Sequence, residues 1–203
     1  LRIMLKRFPM HITSHTSVQA IEDLRAGHNY KAADVASIHI AGNPKMATVN
    51  NIPAPADLMM AQYSLPFCVA LAHHANARDP RSFNAKTFGN ADIKSLCSRV
   101  TISVSDEAKK GGTLASTVSV TLKDGRTLTK RVADFKGTPE SPLTPAEMRE
   151  KFMMITSHCD PKAMGRLFDR IQTIEREKTL DWLKVPAASK RNAANKSAKK
   201  KKR

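Results

Sequence analysis

The chain has 203 residues, 41% of them hydrophobic, and its 34 basic and 18 acidic residues give a formal net charge of +16. That length holds one sizeable domain, or one domain with a helical appendage, and the apolar content is ordinary for a globular protein. The longest apolar runs are broken by Pro, His or charge well short of a membrane span, and no secretion signal is visible. Three widely spaced cysteines, of which Cys68 and Cys97 fall in apolar helical patterns, point to reduced core thiols of a cytoplasmic protein.

The chain opens on Leu1-Arg2-Ile3-Met4, without an initiator Met, so a further portion is expected upstream. Lys6, Arg7, His11 and His15 then crowd around a Phe8-Pro9 corner. Pro9 fixes its own φ and pushes Phe8 towards an extended conformation. A first helix over 14–27 is expected, with Thr13 or Ser14 as cap, Val18, Ile21 and Leu24 on its apolar face and Gly27 as its stop. Val35, Ile38 and Ile40 give a first strand whose alternation is imperfect. Residues 45–55, with Pro53 and Pro55, read as loop. Ser64 caps a helix that tolerates Pro66 in its first turn and continues through Val69 and Leu71. His73 and His74 read as its exposed end.

Asp79-Pro80-Arg81 starts another connection, and Asn90 caps a short helix carrying Ile93, Leu96 and Cys97. Val100, Ile102 and Val104 alternate as a strand, as do Val118, Val120 and Leu122. Asp124-Gly125 then turns the chain into Leu128 and Val132, the clearest hairpin in the sequence. Thr144-Pro145-Ala146-Glu147 is a capping box that opens a helix running to about His158, and Asp160-Pro161 opens a second one. The expected class is α+β: a small, four-stranded, mostly antiparallel sheet with helices on one face over residues 1–140. Two helices over 141–186 lack a partner layer. The segment from Ala187 to Arg203 holds eight basic residues, no acid and no core-forming residue, so disorder is expected there. Without it, 26 basic residues face 18 acidic ones, so the tail supplies half of the excess charge.

A cluster of cations and imidazoles where a loop meets a helix N-terminus suits an anion, since free N–H groups and the helix dipole add to the side-chain charge. His11 and His15 stand four apart, but Pro9 and the expected cap keep His11 ahead of the helix. Position 12 is Ile, so the HExxH zinc pattern is missing and no metal is expected.

Lys6-Arg7-Phe8-Pro9 followed by His11 and His15 resembles the start of the second half of MmgE/PrpD proteins. Ala61-Gln62-Tyr63-Ser64-Leu65-Pro66-Phe67-Cys68-Val69-Ala70 is similar to that family's internal signature. Asp124-Gly125-Arg126, Gly137-Thr138-Pro139, Ser141-Pro142-Leu143 and Lys151-Phe152 follow in the family's order. The resemblance covers about residues 5–185, and its Lys-Arg-Phe-Pro-x-His form is nearer to the cis-aconitate-decarboxylating members than to those that dehydrate 2-methylcitrate. It implies an α+β lid whose last helices return to a separate, all-helical domain. The implied active site lies between the two domains, and the implied assembly is a homodimer. Lys6 and His11 match site positions and are the expected catalytic residues. Arg7, His15 and Phe67 are the expected substrate-binding ones. Neither metal nor cofactor is implied. The helical-domain site residues of the family have no counterpart in this chain, so inactivity alone is expected.

Such chemistry builds negative charge beside a carboxylate. Lys6 and Arg7 suit substrate carboxylates, Arg in bidentate fashion, and His11 suits proton transfer near neutral pH. A rival reading is a non-catalytic remnant that contacts acidic partners, or nucleic acid non-specifically, through the basic tail.

Overall fold

The structure is a computed structural model that describes residues 3–109 and 114–183, so the basic tail over 187–203 lies outside the described residues. The chain divides into two units, Leu1–Cys159 and Asp160–Arg203.

In the first unit, alternation builds the sheet. Strand β1 (Val35–Gly42) buries Ile38 and Ile40, while His39 between them is exposed. Its imperfect pattern has a cause: the register shifts between Val35 and Ser37 where it meets β3. Strand β2 (Val100–Val104) pairs parallel to β1, with Ile38 opposite Val100. Strand β3 (Ser116–Leu122) buries every second residue and pairs antiparallel to β1, with Ile40 opposite Val118. Strand β4 (Thr127–Val132) closes the hairpin, with Val120 opposite Leu128. The order is β2-β1-β3-β4, a mixed sheet in which two of the three pairings are antiparallel. The turn between β3 and β4 places Gly125 at φ 91, as the Asp-Gly pair requires.

A parallel pair needs a crossover, and residues 43–99 supply it with helices. The helix α1 (His15–Gly27) packs on β3 and β4 through the expected Val18, Ile21 and Leu24. Two short helices occupy stretches where none was expected. These are α2 (Pro44–Ala47), capped by Asn43, and α3 (Leu58–Tyr63), capped by Asp57. The next helix, α4 (Leu65–His74), starts at Ser64, whose hydroxyl accepts from the Phe67 amide at 3.0 Å. It is buried from Leu65 to His73, so it forms the centre of the helical layer. The helices α5 (Ala85–Phe88) and α6 (Ala91–Cys97) follow, and Asn90 caps α6 as expected. Cys68 and Cys97 are buried free thiols.

Beyond β2 lies the short α7 (Asp106–Lys109), and after the hairpin comes α8 (Pro145–Ile155). Its capping box is formed in both directions: the Glu147 amide donates to the Thr144 hydroxyl at 3.2 Å and the Thr144 amide donates to the Glu147 carboxylate at 2.9 Å. In the second unit, α9 (Pro161–Ile171) is capped by Asp160, and the Arg170 guanidinium lies 4.5 Å above the Trp182 ring centroid. Among the described residues no helix is long and apolar enough to cross a membrane.

His73 departs from its expected exposure. It is buried, donates from Nδ1 to the Val69 carbonyl at 2.8 Å, and meets the Tyr30 hydroxyl at 3.4 Å through Nε2. The apolar wall of α4 runs on to its last turn, and the ring is satisfied within it.

Candidate functional site

The corner ahead of α1 is anchored by apolar residues. Phe8 and Met10 are buried, whereas Lys6 is exposed and His11 half-buried. The Lys6 ammonium donates to the Met10 carbonyl at 3.1 Å and closes the corner. His11 keeps an extended backbone and heads a short 3-10 turn, Ile12–Ser14, that leads into α1. That turn removes the capping role expected of Thr13 or Ser14: His11 takes the cap position, and the Ser14 hydroxyl makes no cap bond.

A polar chain then orients His11. The Asn50 side-chain amide donates to the Tyr63 carbonyl at 2.8 Å, which turns its oxygen towards Thr13. The Thr13 hydroxyl donates to that oxygen at 2.7 Å. With its only proton committed, the hydroxyl must accept from His11 Nδ1 at 2.8 Å. The Thr13 amide also approaches Nδ1, at 3.4 Å, and this is the weaker contact. The chain therefore assigns the Nδ1 proton and leaves Nε2 with a lone pair. Asn50 and Thr13 are buried, so the bonds are shielded from water. The His11 amide donates to the Gln62 carbonyl at 2.9 Å, and the His11 and Tyr63 rings lie 5.1 Å apart.

These ties bring Lys6, Pro9, Met10, His11, Gln62 and Tyr63 around one open pocket of about 300 Å³. Burial, then Lys6, then Lys45 push the His11 pKa down from its ordinary value of 6.5, so the ring is neutral at pH 7. An ammonium, a neutral imidazole with a free Nε2 and a phenol therefore share a pocket suited to a carboxylate whose neighbouring carbon gains or loses a proton.

The structure brings Lys6 and His11 together and takes the other three expected residues elsewhere. Arg7 turns to the opposite side of the corner, 3.9 Å from Glu147, where it lines a smaller hollow with Arg78 and Lys151. His15 is fully buried between Phe8 and Phe135, at 5.3 and 4.6 Å between ring centroids. Neither of its ring nitrogens makes a close hydrogen bond, although the Met10 and Phe8 backbone lies near enough to act on the ring. Desolvation first, then the charge of Lys6, pulls its pKa down to about 3. Phe67 is a core residue beside Phe83 and Phe88. It walls a separate cavity of about 400 Å³ with Pro53, Pro55 and Cys97.

Tyr63 lies in the family-like stretch 61–70 and is not among the expected site residues. It is 47% exposed and stands over His11. The missed signal was the pair of consecutive caps: Asp57 starts α3 and Ser64 starts α4, so Tyr63 is the last residue of a separate short helix and projects at the break. Asn50 carried no sequence signal.

A family model described as MmgE/PrpD C-terminal domain matches residues 8–174, beginning two residues after Lys6 and including His11 and Tyr63. Human cis-aconitate decarboxylase is 26% identical over 155 residues, which are 74% of this chain and 32% of that protein. The chain thus spans about a third of the length of the curated relative it matches.

Proposed function

This chain belongs to the MmgE/PrpD family, and on that premise we propose that it is the lid-type portion of a metal-independent lyase acting on a small polycarboxylate such as 2-methylcitrate or cis-aconitate. The observation that carries the reading is the shared pocket of Lys6, His11 and Tyr63, with His11 Nδ1 tied to the Thr13 hydroxyl. Lys6 pairs with a substrate carboxylate and stabilises the charge that develops beside it. His11, through its Nε2 lone pair, removes a proton before elimination of water; in a decarboxylation it first takes a proton at Nε2 from solvent and then delivers it to the carbon that CO2 has left. Tyr63 offers a phenol to the same substrate.

A second body completes the site. Ile3, Met4 and Leu5 precede Lys6, and Leu58, Met59 and Met60 precede Tyr63; all six are exposed, so apolar side chains flank the pocket-bearing segments. An apolar surface around a polar pocket suits burial against a partner. An all-helical domain is the partner proposed, within a cytoplasmic homodimer, and the chain alone is then expected to bind substrate weakly and turn none over.

Titrating the 203-residue chain with cis-aconitate and 2-methylcitrate, while following His11 by NMR, tests the reading. Binding that shifts His11, and that Lys6→Met weakens at least tenfold, is expected. Turnover is expected only after a helical half is supplied. Absence of binding to either acid, together with nucleic-acid binding that disappears when residues 187–203 are deleted, would favour the rival reading.

A further inference from the structure

Lys151, of the Lys151-Phe152 pair in the sequence, lies outside the pocket yet reaches its backbone. Its ammonium donates to the Lys6 carbonyl at 2.8 Å and to the Arg7 carbonyl at 3.3 Å, across 145 positions of chain. One cation shared by two carbonyl oxygens is a charge-assisted contact. Three further restraints act on the same short segment. The Leu5 amide donates to the Gly137 carbonyl at 2.8 Å. Gly137 sits at φ 115 and approaches so closely that a Cβ there would collide with the Leu5 carbonyl oxygen. Glu147, one turn before Lys151 on α8, faces the Arg7 guanidinium. All four restraints come from the chain between Gly137 and Lys151, and none of those residues lines the pocket.

We infer that Lys151 is a positioning residue: by gripping the Lys6 and Arg7 carbonyls it fixes the backbone from which the Lys6 ammonium reaches, and so sets the spacing of Lys6 and His11. Its part in polycarboxylate binding rests on the function proposed above; the geometry does not. Burial pulls the Lys151 pKa down, a mark of the desolvation this grip entails.

His11 itself reports on the grip. The charges that act on it are Lys6, from its own segment, and Lys45, from α2. The uncharged Tyr63 phenol packs on its ring from α3. Lys151 is not among those charges, although it does act on His15. Removing the Lys151 charge therefore acts on His11 chiefly through any movement of Lys6.

The test is an NMR titration of His11 in the full chain, in the parent protein and in Lys151→Met and Lys151→Arg. Lys151→Met is expected to raise the His11 pKa towards 6.5. Lys151→Arg, whose guanidinium can fork onto both carbonyls, is expected to restore the parent value. The same His11 titration in all three proteins, with the amide signals of the β3–β4 hairpin intact, would overturn the inference. If Lys151→Met fails to fold, the Lys151 ammonium signal of the parent protein decides: slowly exchanging Nζ protons coupled to the Lys6 and Arg7 carbonyls support the grip, and freely exchanging ones overturn it. None of these readouts involves a substrate. Absence of polycarboxylate binding would sink the proposed function alone, and an indifferent His11 would sink the positioning role alone.

Discussion

Acid should unfold this protein through its buried histidines, and His15 gives the sharpest prediction. Folding pulls the His15 pKa from 6.5 to about 3 in a fully buried site. Between those values the unfolded chain binds a proton that the folded chain refuses, so stability is present above pH 6.5 and lost as pH falls towards 3. From pH 7 to pH 5 the linkage amounts to about 2 kcal/mol for this one ring. His73, pulled down to about 4 mainly by desolvation, adds about 2 kcal/mol over the same interval. Together they approach the lower end of a typical domain's whole stability, about 5 kcal/mol. Carboxylates do not confuse this window. Asp79, held down by Arg81, and Glu147, held down by the Thr144 amide, give up their contribution only below their ordinary values of 3.8 and 4.5. The assay is urea unfolding at pH 7 and pH 5, followed by circular dichroism. His15→Leu keeps the apolar contacts of the ring and gives up at most a weak contact with the Met10 and Phe8 backbone. Its loss on acidification should be smaller than the parent's by about 2 kcal/mol. Equal losses in the two proteins would refute the assignment of acid sensitivity to this ring.

Two glycines share a positive φ but not their surroundings, so Gly137→Ala should destabilise more than Gly125→Ala in the same urea assay. The Gly125 site is open, and only backbone strain of about 1 kcal/mol applies there, whereas at Gly137 the Leu5 carbonyl must also move. Asn50→Ala should cost about 1–3 kcal/mol, because it strands the Thr13 hydroxyl and the Tyr63 carbonyl. It should also mix the His11 tautomers in nitrogen-15 spectra; an unchanged tautomer would mean that Thr13 does not depend on Asn50. Alkylation of the native protein should strike Cys159 first. Cys68 and Cys97 are buried, with thiol pKa values pushed up by desolvation, to about 12 at Cys97. Early modification of Cys97 would show that the neighbouring cavity admits solvent freely.

What the sequence reveals is what neighbouring residues decide among themselves. The Asp124-Gly125 hairpin, the Asn90 and Ser64 caps and the Thr144–Glu147 box are each closed within four residues, and the structure has them where the pattern predicts. The short helices at Pro44–Ala47 and Leu58–Tyr63 escape because one turn carries too little periodicity to stand out beside Pro53 and Pro55. His73 escapes because its exposure depends on Tyr30, 43 positions away. The pairing of His11 with Tyr63 escapes for the same reason. It is made through Asn50, a residue with no chemistry of its own to advertise, which acts only once three distant segments have met.

The restraints on the corner leave one side of it free. Lys151 and Gly137 hold residues 5–7 through the backbone, while Asn50 and Gln62 hold Thr13 and His11. Phe8, buried in the core between these two sets of ties, fixes the middle. What remains untied is the Nε2 edge of the His11 ring and the exposed stem of Lys6, whose ammonium rests on a neutral carbonyl, Met10, that a carboxylate can outbid. Ordering a long cation and an imidazole at the moment of binding costs about 0.5–1.5 kcal/mol for each side chain. Here the His11 share of that cost is met by folding, and only Lys6 has to swing. A ligand that exchanges the Met10 carbonyl for its own carboxylate therefore gains an ion pair for a single rotamer change, and Lys6→Met should remove that gain while leaving the His11–Thr13–Asn50 chain in place.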